Sequence, residues 1–134
     1  MKKNETKNMT ETRKPKYYIA YGSNLSLEQM AYRCPDARVV GTAVLEGWQL
    51  VMCRFATIVP NPAKNTPVLI WEISEKDEQR LDRYEGFPRL YHKKDIPLEV
   101  FPMEGGEPVH LEAMFLVSII FIICFRSFPC FTAV

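Results

Sequence analysis

At residues 17–25 the chain reads Tyr-Tyr-Ile-Ala-Tyr-Gly-Ser-Asn-Leu, an aromatic and branched run that meets a glycine-containing loop. Aromatic and β-branched side chains suit a pleated, half-buried surface, so residues 17–21 are predicted to form a strand. Gly22 has no Cβ and lets the backbone turn sharply or approach a ligand closely. Ser23 and Asn24 can fold their side chains onto nearby backbone groups and fix the loop.

A helix is predicted directly after this loop. Ser26 suits the N-cap position, and Gln29 follows at the spacing of a capping box. A strand, a glycine loop and a helix N-terminus in succession point several backbone N–H groups at one place, which suits a carboxylate, a phosphate or a developing oxyanion. An ordinary tight strand-to-helix connection gives the same local signals. This stretch alone therefore leaves both interpretations open.

The composition is that of a single globular domain. The chain has 134 residues, of which 47% are hydrophobic and 25% charged, enough to bury a sizeable core. The formal net charge of +1 gives no strong field that would attract nucleic acid or an anionic membrane. We expect a disordered N-terminal arm at residues 1–14, one domain at residues 15–117 and an atypical apolar tail at residues 118–134.

The cysteines and the N-terminus indicate the compartment. Residues 1–14 contain no apolar segment of the kind found in signal peptides, so a cytoplasmic protein with reduced thiols is expected. No C-x-x-C pair or zinc-type His–Cys spacing occurs among the cysteines, and neither a metal nor a cofactor is predicted. The cysteines are Cys34, Cys53, Cys124 and Cys130.

The first helix is predicted to end at Pro35 and to pack through one apolar face. Four residues recur at spacings of three and four, which is typical of a helix that buries one side. They are Leu27, Met30, Ala31 and Cys34.

The second helix is predicted to begin after Ser74, with Asp77 at the spacing of a capping box. It should end at about residue 85, because Gly86 suits a helix C-terminus. Leu81 and Tyr84 are expected to share its buried face.

Most of the remaining chain is predicted to be extended. Strand-like runs cover residues 39–59 with breaks at Gly41 and Gly47, followed by an irregular turn region at residues 60–67, where prolines recur. Residues 68–73 are nearly all apolar, which predicts a strand buried on both faces. Two further strands are expected at 90–100 and 109–117. This order favours an α+β fold, a mixed sheet curled into a small β-barrel with helices outside.

Glu85 is the residue best suited to acid–base chemistry. It lies at a predicted helix C-terminus, where the helix dipole disfavours a negative charge, and three aromatic residues surround it in the sequence. Both the dipole and partial burial would raise the pKa of its carboxyl group towards the range of a useful general base. A solvated glutamate at a helix end is the alternative. The aromatic residues are Tyr84, Phe87 and Tyr91.

Taken together, these stretches resemble the γ-glutamylcyclotransferase-like family, which includes the AIG2-like proteins. The resemblance runs from about Tyr17 to Met114. It is carried by Tyr21-Gly22-Ser23-Asn24-Leu25, by Ala56-Thr57-Ile58, by residues 68–73 with Trp71, and by Leu81-Asp82-Arg83-Tyr84-Glu85-Gly86 with Tyr91.

The resemblance implies a small mixed β-barrel flanked by helices and an enzyme that cyclises a γ-glutamyl amine or amino acid to 5-oxoproline. It implies that Glu85 is the general acid and base. It also implies a site for a small γ-glutamyl substrate, without metal or cofactor, formed by Ala20, Tyr21, Gly22, Ser23, Asn24, Leu25 and Tyr91. The protein is expected to be a monomer or a homodimer.

Two alternatives stay open. A non-catalytic member of the same fold could bind an acidic small molecule or a protein partner. The apolar run at residues 113–125 could also act as an anchor, although it is shorter than the roughly 20 residues of a membrane span and lacks flanking basic clusters. After about Leu116 the sequence departs from the family pattern, which usually continues with a segment that carries an aromatic residue lining the site.

Overall fold

The computed structural model describes residues 14–53, 55–118 and 131–132. The predicted arm at residues 1–14 and the apolar tail at residues 118–134 lie almost entirely outside the described residues. The elements, in chain order, are β1 (Lys16–Ala20), a 3-10 helix (Ser23–Leu25), α1 (Leu27–Arg33), β2 (Arg38–Cys53), β3 (Phe55–Ile73), α2 (Glu75–Glu85), β4 (Tyr91–Pro102), β5 (Val109–Ser118) and β6 (Phe131–Thr132).

Five strands close into a mixed barrel. The order around the ring is β3-β1-β5-β4-β2, and β2 pairs back with β3. β1 runs parallel to β5, and the other pairs of the ring are antiparallel. The short strand β6 pairs with β2 at Val51 and Met52. The predicted α+β class, a small mixed β-barrel with helices outside it in a single domain, is confirmed.

The apolar side chains form two cores, one on each side of the sheet. One core joins buried residues from all five ring strands, and the other joins the sheet to Met30, Cys34 and Leu81 of the helical side. The strand at residues 68–73 contributes to both, because successive side chains of a strand point to opposite faces. Its predicted burial on both faces is confirmed: Ile70 packs into the first core and Trp71 into the second.

β2 and β3 form one long antiparallel hairpin. The prediction that a turn region at residues 60–67 interrupts the strands is wrong, because β3 runs through these residues without a break. The pairing does shift between Glu46 and Trp48, and residues 61–64 have no partner on β2. Prolines are tolerated at such a bulge, where the strand does not need their missing N–H donor.

β4 closes onto β2 beside Gly41, which pairs with Pro102. A Cβ on Gly41 would lie 2.1 Å from the carbonyl oxygen of Phe101. Only glycine therefore permits this approach of two backbones. The prediction that Gly41 and Gly47 break this strand is wrong, since β2 continues through both. The pairing of β2 with β3 shifts register near each glycine.

The helix bounds agree with the capping signals. The Ser26 hydroxyl accepts a hydrogen bond from the Gln29 backbone N–H, at 3.3 Å. Ser74 and Asp77 form a complete capping box at the start of α2. Gly86 ends α2 in the left-handed conformation, with φ of 78°. Within the described residues, no helix is both long and apolar enough to cross a membrane.

The predicted helix faces are only half right. Met30, Cys34 and Leu81 are buried, but Leu27 and Tyr84 are 61% and 56% exposed, and Ala31 is also exposed. The seven-residue α1 is short, and its buried contacts are made by Met30 and by Cys34 at its C-cap. Tyr84 instead stacks against Arg33 at the surface.

Candidate functional site

A cavity of about 250 Å³ lies where β1, the loop after it and the end of α2 meet. This volume is at the lower edge of small-molecule pockets, which span roughly 300–1,000 Å³, so the cavity suits a small chemical group. The lining residues come from β1, β3, α2, β4 and β5, from the loop after β1 and from the segment before β4. They are Tyr18, Tyr21, Gly22, Ser23, Asn24, Ala56, Tyr84, Glu85, Leu90, Tyr91 and Leu116.

The loop after β1 is held by its own backbone. The N–H of Leu25 donates to the carbonyl oxygen of Gly22 at 3.0 Å, which forms the single 3-10 turn. Trp71 donates its indole N–H to the carbonyl oxygen of Asn24 at 3.2 Å. Gly22 is needed here because a Cβ would lie 3.2 Å from the Cβ of Ala56, which is tighter than ordinary packing. The loop thus passes close over β3 at the cavity wall.

Asn24 is buried, and its side-chain amide joins the loop to Glu85. Its Nδ2 donates to the Tyr18 hydroxyl at 2.9 Å and to Oε1 of Glu85 at 3.2 Å. Its Oδ1 accepts a hydrogen bond from Nη1 of Arg33 at 2.5 Å. An amide has one acceptor oxygen and one donor nitrogen, so the hydrogen bond from Arg33 to Oδ1 leaves the Asn24 nitrogen facing Glu85.

Arg33, the last residue of α1, ties together the elements that form the cavity. Its Nη1 also donates to the Ser23 hydroxyl at 3.0 Å. Its guanidinium carbon lies 3.6 Å from the ring centroid of Tyr84, and Nη2 donates to the Tyr84 hydroxyl. Arg33 is not among the residues that line the cavity. It therefore acts on the cavity through Ser23, Asn24 and Tyr84.

Glu85 ends α2 and lines the cavity with its carboxyl group partly buried. Burial raises the pKa of this carboxyl group, while the positive charge of Arg33 and the hydrogen bond from Asn24 pull that pKa back down. The direction predicted from the sequence is confirmed, and burial is the main cause. Such a group can hold or release a proton closer to neutral pH than an ordinary glutamate.

Three buried tyrosines surround this carboxyl group. Burial raises the pKa of the hydroxyl groups of Tyr18, Tyr21 and Tyr91 and is the main cause of each shift. All three therefore stay neutral near pH 7 and add no charge beside Glu85. The Tyr21 hydroxyl donates to the carbonyl oxygen of Leu116 at 2.5 Å, which holds its ring against β5.

Most of the residues singled out from the sequence come together in this cavity. Tyr21, Gly22, Ser23, Asn24, Glu85 and Tyr91 all line it. Two do not. Ala20 is fully buried in the core that faces the helices, and Leu25 is 44% exposed.

Sequence reasoning missed several residues of the site. Arg33 carries no motif of its own, since a basic residue in the last turn of a helix is favoured by the helix dipole alone. Tyr18 lies inside the first stretch quoted, but the strand pattern does not tell which tyrosine faces a cavity. The other missed lining residues are Ala56, Tyr84, Leu90 and Leu116. Among the described residues, no three His, Cys, Asp or Glu side chains are grouped to hold a metal ion.

Comparison with known proteins gives a family match and several folds of the same kind. The family model described as Gamma-glutamyl cyclotransferase, AIG2-like matches residues 18–118. A solved structure described as Gamma-glutamyl cyclotransferase is 23% identical, with a TM-score of 0.61, and the match covers 78% of this chain and 66% of that one. The chain thus spans just under two thirds of that protein's length.

Two further structures are similar. An uncharacterized protein from Homo sapiens is 21% identical with a TM-score of 0.61, and the match covers 88% of this chain and 69% of that one. An AIG2-like protein from Mus musculus is 17% identical with a TM-score of 0.62, and the match covers 78% of both chains. At these sequence identities, the similarity to the three solved structures establishes the fold of this chain and nothing further. No curated protein matches the chain.

Proposed function

The chain belongs to the gamma-glutamyl cyclotransferase, AIG2-like family, and we propose that it cyclises a γ-glutamyl amine or amino acid to 5-oxoproline with release of the free amine. The observation that carries this proposal is the Glu85 carboxyl group, whose pKa is raised by burial and which lines a small cavity bordered by residues 21–24 of the loop. Glu85 is the proposed general acid and base.

The proposed reaction needs no external nucleophile. The α-amino nitrogen of the γ-glutamyl group attacks its own γ-carbonyl carbon, a new C–N bond closes the five-membered ring, and the bond to the departing nitrogen breaks. Because the two reacting groups belong to one molecule, holding them in a ring-closing pose removes several kcal/mol from the barrier. A small cavity with buried walls suits this task, since it restricts the conformations of a flexible chain.

Glu85 would move the protons. The α-amino group enters as an ammonium, and Glu85 takes a proton from it so that the nitrogen can attack. Attack leaves an extra proton on the ring nitrogen and a negative charge on the former carbonyl oxygen. Glu85 gives its proton to the departing nitrogen as the old C–N bond breaks, and then passes the extra proton from the ring nitrogen to the released amine. Two protons thus move from the α-nitrogen to the departing nitrogen, so the products are a neutral lactam and an ammonium ion. Glu85 ends ionised, as it began, and no redox or nucleotide cofactor enters the reaction. A carboxyl group of raised pKa suits both steps.

The remaining residues would bind the substrate. In a 3-10 helix that begins at Ser23, the first N–H groups have no acceptor within the helix, as the Leu25-to-Gly22 bond is its first. These donors could anchor the glutamyl carboxylate or the developing oxyanion. Tyr21 and Tyr91 would supply the apolar walls, together with Tyr18. Ala20 and Leu25 would act only through their backbone, because their side chains do not line the cavity.

The test is incubation of the purified protein with a panel of γ-glutamyl amino acids and γ-glutamyl amines. We expect 5-oxoproline and the free amine to appear in equal amounts for at least one member of the panel. Saturable binding of these compounds without release of 5-oxoproline would contradict the proposal and favour the non-catalytic alternative.

A further inference from the structure

A second depression lies on the outer side of Tyr84, between α1 and α2. We call it the arginine surface, and it is lined by Ser26, Glu28, Gln29, Tyr32, Arg33, Arg80, Arg83 and Tyr84. Tyr84 lines both this surface and the cavity that contains Glu85. The two are therefore neighbours that share one aromatic wall.

The arginine surface carries an excess of positive charge. It contains three arginines and one glutamate. The Arg33 guanidinium is engaged by Ser23, Asn24 and Tyr84, so the other two arginines are the ones free to meet a ligand.

Arg80 and Arg83 have few partners of their own. Arg80 lies 3.6 Å from a carboxylate oxygen of Asp77, which is buried and serves the helix cap. Arg83 is exposed and makes no ion pair or hydrogen bond within the part of the chain that the structure describes. Like charges three residues apart on a helix repel each other. An anion between them would remove that repulsion.

The arginine surface lies beside the cavity, because Tyr84 lines both. The cavity, at about 250 Å³, is too small for much more than the γ-glutamyl group, so the leaving amine must extend beyond it. Along the axis of α2, Arg80 and Arg83 precede Glu85 by five and two residues, an axial rise of about 7.5 Å and about 3 Å. A leaving amino acid that extends past Tyr84 would bring its side chain to the arginine surface, which shares this wall with the cavity.

We propose that the arginine surface is a subsite for the leaving amine and that it selects an acidic amino acid or acidic peptide. A side-chain carboxylate of the leaving group would lie between Arg80 and Arg83, whose planar guanidinium groups bind carboxylates through paired hydrogen bonds. Tyr32, which is 90% exposed, and Tyr84 would contact its carbon atoms. This inference rests on the proposed cyclisation and names the class of leaving group.

The test compares γ-glutamyl-glutamate with γ-glutamyl-glutamine, which have nearly the same shape and differ by one negative charge. We expect kcat/KM for the acidic substrate to exceed that for the neutral one by about fivefold, the scale of a favourable ion pair at an exposed site. This ratio should shrink as salt is raised from 0.01 M to 1 M, because the Debye length falls from about 30 Å to 3 Å.

Variants of α2 locate the effect. Arg83→Gln should lower the ratio, and Arg80→Gln combined with Arg83→Gln should bring it close to one. Lys76→Gln removes the same charge from an exposed position of the same helix outside the arginine surface, and should leave the ratio unchanged. Arg83 makes no ion pair or hydrogen bond among the described residues, so its variant is expected to melt close to the wild-type temperature.

The outcomes separate this inference from the proposed function. Equal kcat/KM for the two substrates in the wild type, or a ratio that survives in the double variant, would overturn the subsite alone. Loss of the ratio in Lys76→Gln as well would show a general field effect and would also overturn it. Failure of both compounds, and of every other γ-glutamyl compound, to yield 5-oxoproline would overturn the proposed function and the subsite with it.

Discussion

At the scale of single residues, the Glu85 carboxyl group is balanced between two opposing effects. Burial favours its neutral form, while the charge of Arg33 and the Asn24 hydrogen bond favour its ionised form. The tyrosines beside it, from β1, the loop after β1 and β4, remain neutral. Arg33 is therefore the charged residue that restrains its pKa, and it does so without lining the cavity.

Replacing Arg33 by methionine should raise the pKa of Glu85 further. A base that must be ionised then becomes active only at higher pH, so the acid limb of the pH profile of kcat/KM is expected to move to higher pH. Arg33→Lys keeps the charge and should move the limb less. Arg38→Met is the matched control, because Arg38 pairs with Glu72 on the barrel surface. An acid limb in Arg33→Met identical to that of the wild type would contradict this role.

The sequence predicts some of these residues and not others. Glu85 could be found because a carboxylate at a helix end among aromatics is unfavourable unless it has a use. Asn24 could be found because it belongs to the Tyr21-Gly22-Ser23-Asn24-Leu25 motif that carries the family resemblance. Arg33 could not, since its role depends on Asn24 and Tyr84 lying near it in space. These contacts join three separate elements, and no local spacing encodes them.

At the scale of elements, the loop after β1 fits the barrel through one tight contact. An alanine at position 22 would bring its Cβ within 3.2 Å of Ala56 Cβ. We expect Gly22→Ala to displace the loop and lower kcat/KM about tenfold, because small misplacements of binding groups are costly.

The partner substitution offers a direct control for the loop. Ala56→Gly removes the opposing Cβ, so adding it to Gly22→Ala should restore most of the lost kcat/KM, as neighbouring substitutions do not add independently. Additive losses in the double variant would show that the Gly22–Ala56 contact does not position the loop. Circular dichroism of all three variants checks that each remains folded.

Local signals predicted the ends of the helices well and the interior of the long strands poorly. The Ser74–Asp77 capping box and the left-handed Gly86 are set by neighbouring residues, so the bounds of α2 follow from the sequence. The prolines at residues 60–67 indicated an interruption instead. Pairing with β2 carries the strand through this region, and the unpaired residues 61–64 absorb the irregularity.

At the scale of the whole molecule, closure of the barrel depends on contacts between distant parts of the chain. β1 joins β5 in parallel at Tyr18 and Met114, almost a hundred residues apart, and β4 meets β2 beside Gly41. The fold class could be predicted from the order of the elements and the family resemblance. The order of the strands in the sheet could not be predicted, because the sequence of one strand does not determine which strand will pair with it.

Gly41→Ala tests this closure. Its Cβ would collide with the backbone of Phe101 at 2.1 Å, and backbone atoms cannot rotate away as a side chain can. We expect the free energy of unfolding to fall by about 3 kcal/mol, the upper end for overpacking. Thr42→Ala, at the exposed neighbouring position, should change it by only about 0.5 kcal/mol. Urea unfolding measures both, and equal losses would contradict the importance of this approach.

The central claim is that Glu85 moves the protons in a cyclisation that releases 5-oxoproline. The most direct test measures 5-oxoproline release by Glu85→Gln beside the wild type, with Glu99→Gln, an exposed carboxylate on β4, as the matched control. We predict that Glu85→Gln lowers kcat by at least about 100-fold, the usual minimum for loss of a general acid–base group, while it still binds substrate and Glu99→Gln is unaffected. Release by Glu85→Gln at the wild-type rate would contradict the claim.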